Sequence, residues 1–158
     1  MSDTTILDGR TAAFDPAIRP ELYDGVRSRR TFAFLIDVAV ILFLELAASM
    51  LVVIFGLVTF GLGWLLFSLI WPVVPLAYNA FTLGGRNSAT PGMRFMGVEM
   101  RMWEGARMYP AMAVLHSIGF WLSVTVLTPF ILLVSLFTPR KQLLQDLALG
   151  TFVIRSAN

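Results

Sequence analysis

Long stretches without charge alternate with short polar ones along this chain. Residues 31–81 are apolar except for Asp37 and Glu45 among charged groups, and residues 111–138 hold no Asp, Glu, Lys or Arg. The first stretch is about twice the roughly 20 residues that one bilayer-spanning helix needs. Gly56, Gly61 and Gly63 fall near its middle, where a glycine-rich turn can reverse the chain. The pattern predicts two helices, 31–55 and 62–81, forming a transmembrane hairpin.

From Gly84 the pattern changes. Met96, Val98, Met100 and Met102 alternate with Gly97, Glu99, Arg101 and Trp103, the period of a strand. Residues 95–109 therefore predict a small β element, with a turn at Trp103, Glu104, Gly105 and Ala106. Thr151, Phe152, Val153 and Ile154 are a second β-branched and aromatic run, too short to stand alone. Residues 151–155 are its expected partner strand.

The third apolar run, 111–137, would measure about 40 Å as a straight helix against a hydrocarbon core of about 30 Å. Pro129 predicts a break. If the run spans once, Arg140 and Lys141 land outside and the last strand cannot reach its partner; if it folds back, both difficulties disappear. We expect a broken or strongly tilted helix that returns. After it, Thr138 is a candidate N-cap and Gly150 a candidate C-cap for a short interfacial helix bearing Leu143, Leu144 and Leu147.

Composition places the chain in a class. Of its 158 residues, 57% are hydrophobic and only 14% charged, well away from an average soluble domain. The expectation is an all-α integral membrane protein: a helical hairpin, a third broken or tilted helix, a small cytoplasmic β element and a short C-terminal interfacial helix. Residues 1–28 read as a cytoplasmic tail and 29–158 as the membrane domain. Five arginines precede the hairpin (Arg10, Arg19, Arg27, Arg29, Arg30), four follow it (Arg86, Arg94, Arg101, Arg107), and its turn has none. That asymmetry puts both open ends in the cytoplasm, as in a multi-pass protein of a bacterial inner membrane.

Three pieces stand in order: Arg30 seven residues before Asp37, a Thr90-Pro91-Gly92 turn leading to Gly97, and Asp146 in QDLALGT. Together they resemble the RDD family of membrane proteins, named for one arginine and two aspartates, over residues 27–155. The resemblance implies that Arg30, Asp37 and Asp146 are the family's motif residues. It implies the architecture more firmly than an activity, membrane transport being a suggestion for some members. Three positions depart from the pattern. Met93 follows the turn where a basic residue is often found, Gln145 precedes Asp146 where histidine is often found, and His116 stands in place of an arginine.

An ionised carboxylate at the centre of a span costs at least about 2.5 kcal/mol, so such groups find partners, face water or stay protonated. Asp37 lies about 9 Å into its helix and Glu45 about 12 Å deeper. Two readings of them stay open. Asp37, Glu45 and His116 could line a proton or cation path, or Asp37 could be held by Arg30, with Arg30 also bridging to Asp146 as a clamp. Pro72 and Pro75 free the carbonyls of Ser68 and Trp71. Phe60, Trp64, Phe67, Trp71 and Tyr78 fall at helical spacing and predict one aromatic stripe, with Trp64 and Tyr78 near headgroup level.

No cysteine is present and His116 is the only histidine, so imidazole or thiolate metal sites are not expected. No hydrolase-like serine motif, phosphate loop or dense acidic cluster occurs, and neither an enzyme nor a cofactor is expected. The basic residues suit lipid headgroups better than nucleic acid. The expected partners are the lipid bilayer and, in an oligomer or complex, this chain itself or other membrane proteins.

Overall fold

The computed structural model describes residues 13–127 and 138–156, with side chains to residue 123 in the first segment. Helix α1 is Val26–Val58, longer at both ends than its apolar run. A 3-10 stretch, Leu62–Leu66, leads into α2, Phe67–Thr82. A short helix α3, Pro91–Phe95, precedes strand β1, Val98–Met102. Helix α4 is Pro110–Leu127, α5 is Leu144–Leu149 and β2 is Thr151–Arg155.

The hairpin turn is built by close backbone approach. A methyl group on Gly63 would sit 2.8 Å from the Gly56 nitrogen and 2.6 Å from the Phe55 ring. Only hydrogen fits between the helices there. Thr59 closes the turn by donating from Oγ1 to the Phe55 carbonyl at 2.8 Å and accepting from the Gly63 N–H at 2.8 Å.

At 33 residues, α1 is about 50 Å long. That is about 20 Å more than the thickness of a hydrocarbon core. Most of the apolar surface of α1 is uncovered: Leu35, Phe43, Leu51 and Val58 are all exposed, as are Leu65 on the 3-10 stretch and Trp71 on α2. Two helices have the length and composition to cross a membrane, and an apolar surface of this extent needs a non-aqueous neighbour.

The buried core lies at one end of the molecule. Val26 and Ala33 of α1, Leu83 after α2, Met93 of α3, Met100 of β1, Ala113 of α4 and Val153 of β2 meet there. The strands pair antiparallel, from Val98 opposite Arg155 to Met102 opposite Thr151, and Arg107 makes one further bridge to Arg101. Val153 faces that core, while Phe152 and Ile154 face a second cluster with Tyr23, Phe14 and Leu22. The tail from Phe14 onward is thus packed against β2 rather than free. Phe14 and Tyr23 both contact the Phe152 ring, and burial pushes the Tyr23 phenol up to about 12.

Both flanks of the third apolar run lie at this same end. Pro110 packs on Gly84, and Gln142 donates to the Thr151 carbonyl at 2.6 Å. The predicted break at Pro129 falls outside the described residues. The short helix starts later than the Thr138 cap predicts. Thr138 Oγ1 instead accepts from the Gln142 N–H at 2.8 Å, and Asp146 Oδ2 accepts from the Leu143 N–H at 2.9 Å, satisfying a free donor at the start of α5. Gly150 ends that helix with φ +62°.

Candidate functional site

Asp37 is held entirely by neutral donors. Its Oδ1 accepts from the Tyr78 hydroxyl at 2.6 Å and the Gly92 N–H at 2.8 Å, and its Oδ2 accepts from the Thr90 hydroxyl at 2.5 Å. Local sequence explains the arrangement. Pro91 suits the first position of a helix, and Thr90 caps it by accepting from the Met93 N–H at 3.2 Å. Gly92 lets the turn reach α1: a methyl group there would strike the Ala33 carbonyl oxygen and come within 2.8 Å of Asp37 Oδ1. The turn therefore delivers a hydroxyl and an N–H to a carboxylate 53 and 55 residues earlier.

Asp146 is held by a guanidinium and an imidazole. It is wholly buried, at 0% exposure. Arg30 grips it with two nitrogens, Nη1 to Oδ2 at 2.5 Å and Nη2 to Oδ1 at 3.0 Å, and His116 Nε2 lies 2.6 Å from Oδ1. With the Leu143 N–H, each carboxylate oxygen has two partners. Burial pushes this carboxyl up, but the Arg30 charge and the hydrogen bonds from His116 and Arg30 outweigh it and hold it well below the usual carboxylate range. The pairing joins the start of α1, α4 and α5.

This geometry corrects two expectations. Arg30 pairs with Asp146 and not with Asp37, so it does not bridge the two aspartates. A spacing of seven does put Arg30 and Asp37 on one helix face, but it also separates them by about 10 Å of rise, and nearer partners exist for both. Second, His116 belongs to the Asp146 set, whose partners share nothing with those of Asp37. Glu45 stands apart from both sets, half-buried on α1 and without a hydrogen bond or ion pair to any described residue. Asp37, Glu45 and His116 form no single lining.

Tyr78 also departs from the predicted stripe. Phe60 and Trp71 are exposed, whereas Tyr78 is only 8% exposed because its hydroxyl is turned inward to Asp37. Its role was missed in the sequence, where only the need of a buried carboxylate for donors pointed to such a partner. Gln145 holds a further surprise: neither polar atom of its buried amide has a hydrogen-bond partner among the described residues. Among the described residues no group of three or more His, Asp or Glu is placed to hold a metal. A groove of about 490 Å³ between α2 and α4 is apolar, lined by Trp71, Pro72, Pro75 and Leu76 against Ile118 and Leu122, and no carboxylate enters it.

Exposed apolar helices, closed at one end by a packed unit that a half-buried and a buried aspartate fasten, point to a small helical membrane protein. The RDD family profile matches residues 25–150, four-fifths of the chain. The chain belongs to the RDD family. No curated protein and no solved structure matches it.

Proposed function

We propose that this protein is a non-catalytic membrane scaffold that presents a latched cytoplasmic unit to lipids or other membrane proteins. The observation that carries this reading is the saturation of both motif aspartates. Asp37 has three donors and Asp146 has four contacts, all from this chain. A translocated ion needs a carboxylate with room for it, and these oxygens are spent on ties between the spans and the packed end. We place the packed end in the cytoplasm of a bacterial inner membrane, in a multi-pass topology with a cytoplasmic N-terminus. Arg27, Arg86, Arg101 and Arg155 all belong to that end, and the Thr59–Leu66 end has no charged residue.

One observation favours a second reading, transport of a proton or cation. Glu45 is the one span carboxylate with no partner among the described residues, and an oligomer could enclose a path beside it. Proteoliposomes loaded with a pH-sensitive dye separate the two. A scaffold gives no proton flux above that of empty vesicles under an imposed gradient. A flux that Glu45→Gln abolishes would overturn the scaffold reading.

A further inference from the structure

Three arginines converge on one buried turn. Arg86 lies two residues before Ser88, which is wholly buried. Arg94 Nε donates to the Ala89 carbonyl at 3.2 Å, and the N–H of Met108, beside Arg107, donates to Ser88 Oγ at 2.9 Å. The turn thus holds Arg86 and Arg107 through the backbone beside them and Arg94 through its Nε, while all three residues stay exposed. None of the three forms an ion pair with a described carboxylate, although Arg19, Arg30 and Arg101 do. Arg94 uses only Nε, leaving its two terminal nitrogens for an outside acceptor.

Two large aromatic rings flank this cluster and cover nothing. Phe81, at the end of α2, and Phe95, next to Arg94 at the end of α3, are each 82% exposed. A soluble anion would have no use for bare phenyl rings beside its site. At the boundary of headgroup and acyl chain both features are matched, since guanidinium groups take phosphate oxygens and aromatic rings settle just beneath them.

We propose that Arg86, Arg94 and Arg107 form a binding site for the phosphate of an anionic phospholipid headgroup, with Phe81 and Phe95 entering the acyl boundary beside it. The inference rests on the membrane placement above. The full chain, reconstituted in equal parts phosphatidylglycerol and phosphatidylcholine and then extracted in mild detergent, should retain phosphatidylglycerol preferentially in native mass spectra. Each arginine replaced by Gln should lower that preference by about fivefold, and the triple variant should lose it. Arg86→Gln with Arg107→Gln serves if the triple variant does not fold, because those two guanidinium groups make no bond to any described residue.

A wild-type chain without lipid preference, or a triple variant that keeps it, would overturn the proposal. So would inorganic phosphate raising the melting temperature in pure phosphatidylcholine as much as phosphatidylglycerol does, since that assigns the site to a soluble anion. Washing the vesicles with alkali tests the placement separately. A chain that comes off fails the membrane reading, while one that stays and shows no preference fails the lipid site alone.

Discussion

The two motif aspartates solve one problem by different means. Asp37, within the apolar part of α1, is surrounded by two hydroxyls and an N–H, whereas Asp146, at the packed end, is gripped by a guanidinium and an imidazole. Dipoles can compensate a carboxylate without bringing a second full charge into a low-dielectric place, where desolvating two ions costs several kcal/mol each. Asp146 is the more deeply buried of the two and carries the larger desolvation cost, which a bidentate guanidinium pair offsets with the stronger tie. The ion pair is therefore assigned to the closure of α4 and α5 onto α1, and the neutral cage to the seating of Tyr78 and the Thr90–Gly92 turn on α1.

The contrast can be broken most directly by removing the cation. Arg30→Gln leaves a wholly buried carboxylate with only His116 and one N–H, and it should destabilise the protein in detergent by about 3 to 5 kcal/mol, read as melting temperature. Asp37→Asn keeps the volume and weakens three hydrogen bonds to a charged acceptor, for an expected loss of about 2 kcal/mol. An Asp37→Asn loss equal to or larger than that of Arg30→Gln would reverse the assignment.

Acid sharpens the same point. The folded value of Asp146 is depressed below its ordinary 3.8, so its contribution is complete above about pH 4 and fades as pH falls further. The stability difference between wild type and Asp146→Asn should therefore narrow on going from about pH 5 to about pH 3. A difference that stays constant would mean that the pair is not the source of the tie. Smaller still, Gln145→Met should stabilise the fold by about 1 kcal/mol, because it removes two buried polar atoms that have no partner among the described residues. Destabilisation instead would reveal a hidden partner for that amide. Glu45→Gln should leave the melting temperature unchanged, in contrast to both motif aspartates.

Much of the fold could be read from spacing alone. The glycines at 56, 61 and 63 marked the reversal, period two marked the first strand and a β-branched and aromatic run the second, because these signals are local. The motif residues Arg30, Asp37 and Asp146 were also legible, as was the Arg30–Asp146 half of the expected clamp, but the donors to Asp37 were not. Which donor meets Asp37 depends on closure over 41 residues to Tyr78 and 53 to Thr90, and no sequence period records that distance. The spacing of seven between Arg30 and Asp37 was misleading for the same reason. It fixed a shared face but was blind to Asp146, 116 residues away in sequence. The helix α3 was legible in principle, since Thr90 and Pro91 are its cap and first residue, yet its five residues are too few for a hydrophobic period to appear.

The reach of the Arg30 bridge has a consequence for biogenesis. Arg30 emerges from the ribosome 116 residues before its acid, a delay of roughly 6 to 20 s at ordinary translation speeds. During that interval the hairpin is already made while the arginine at its entrance has no mate. A nascent chain interrupted before residue 146 would keep that cation unsatisfied, giving quality-control proteases a chemical mark of unfinished synthesis.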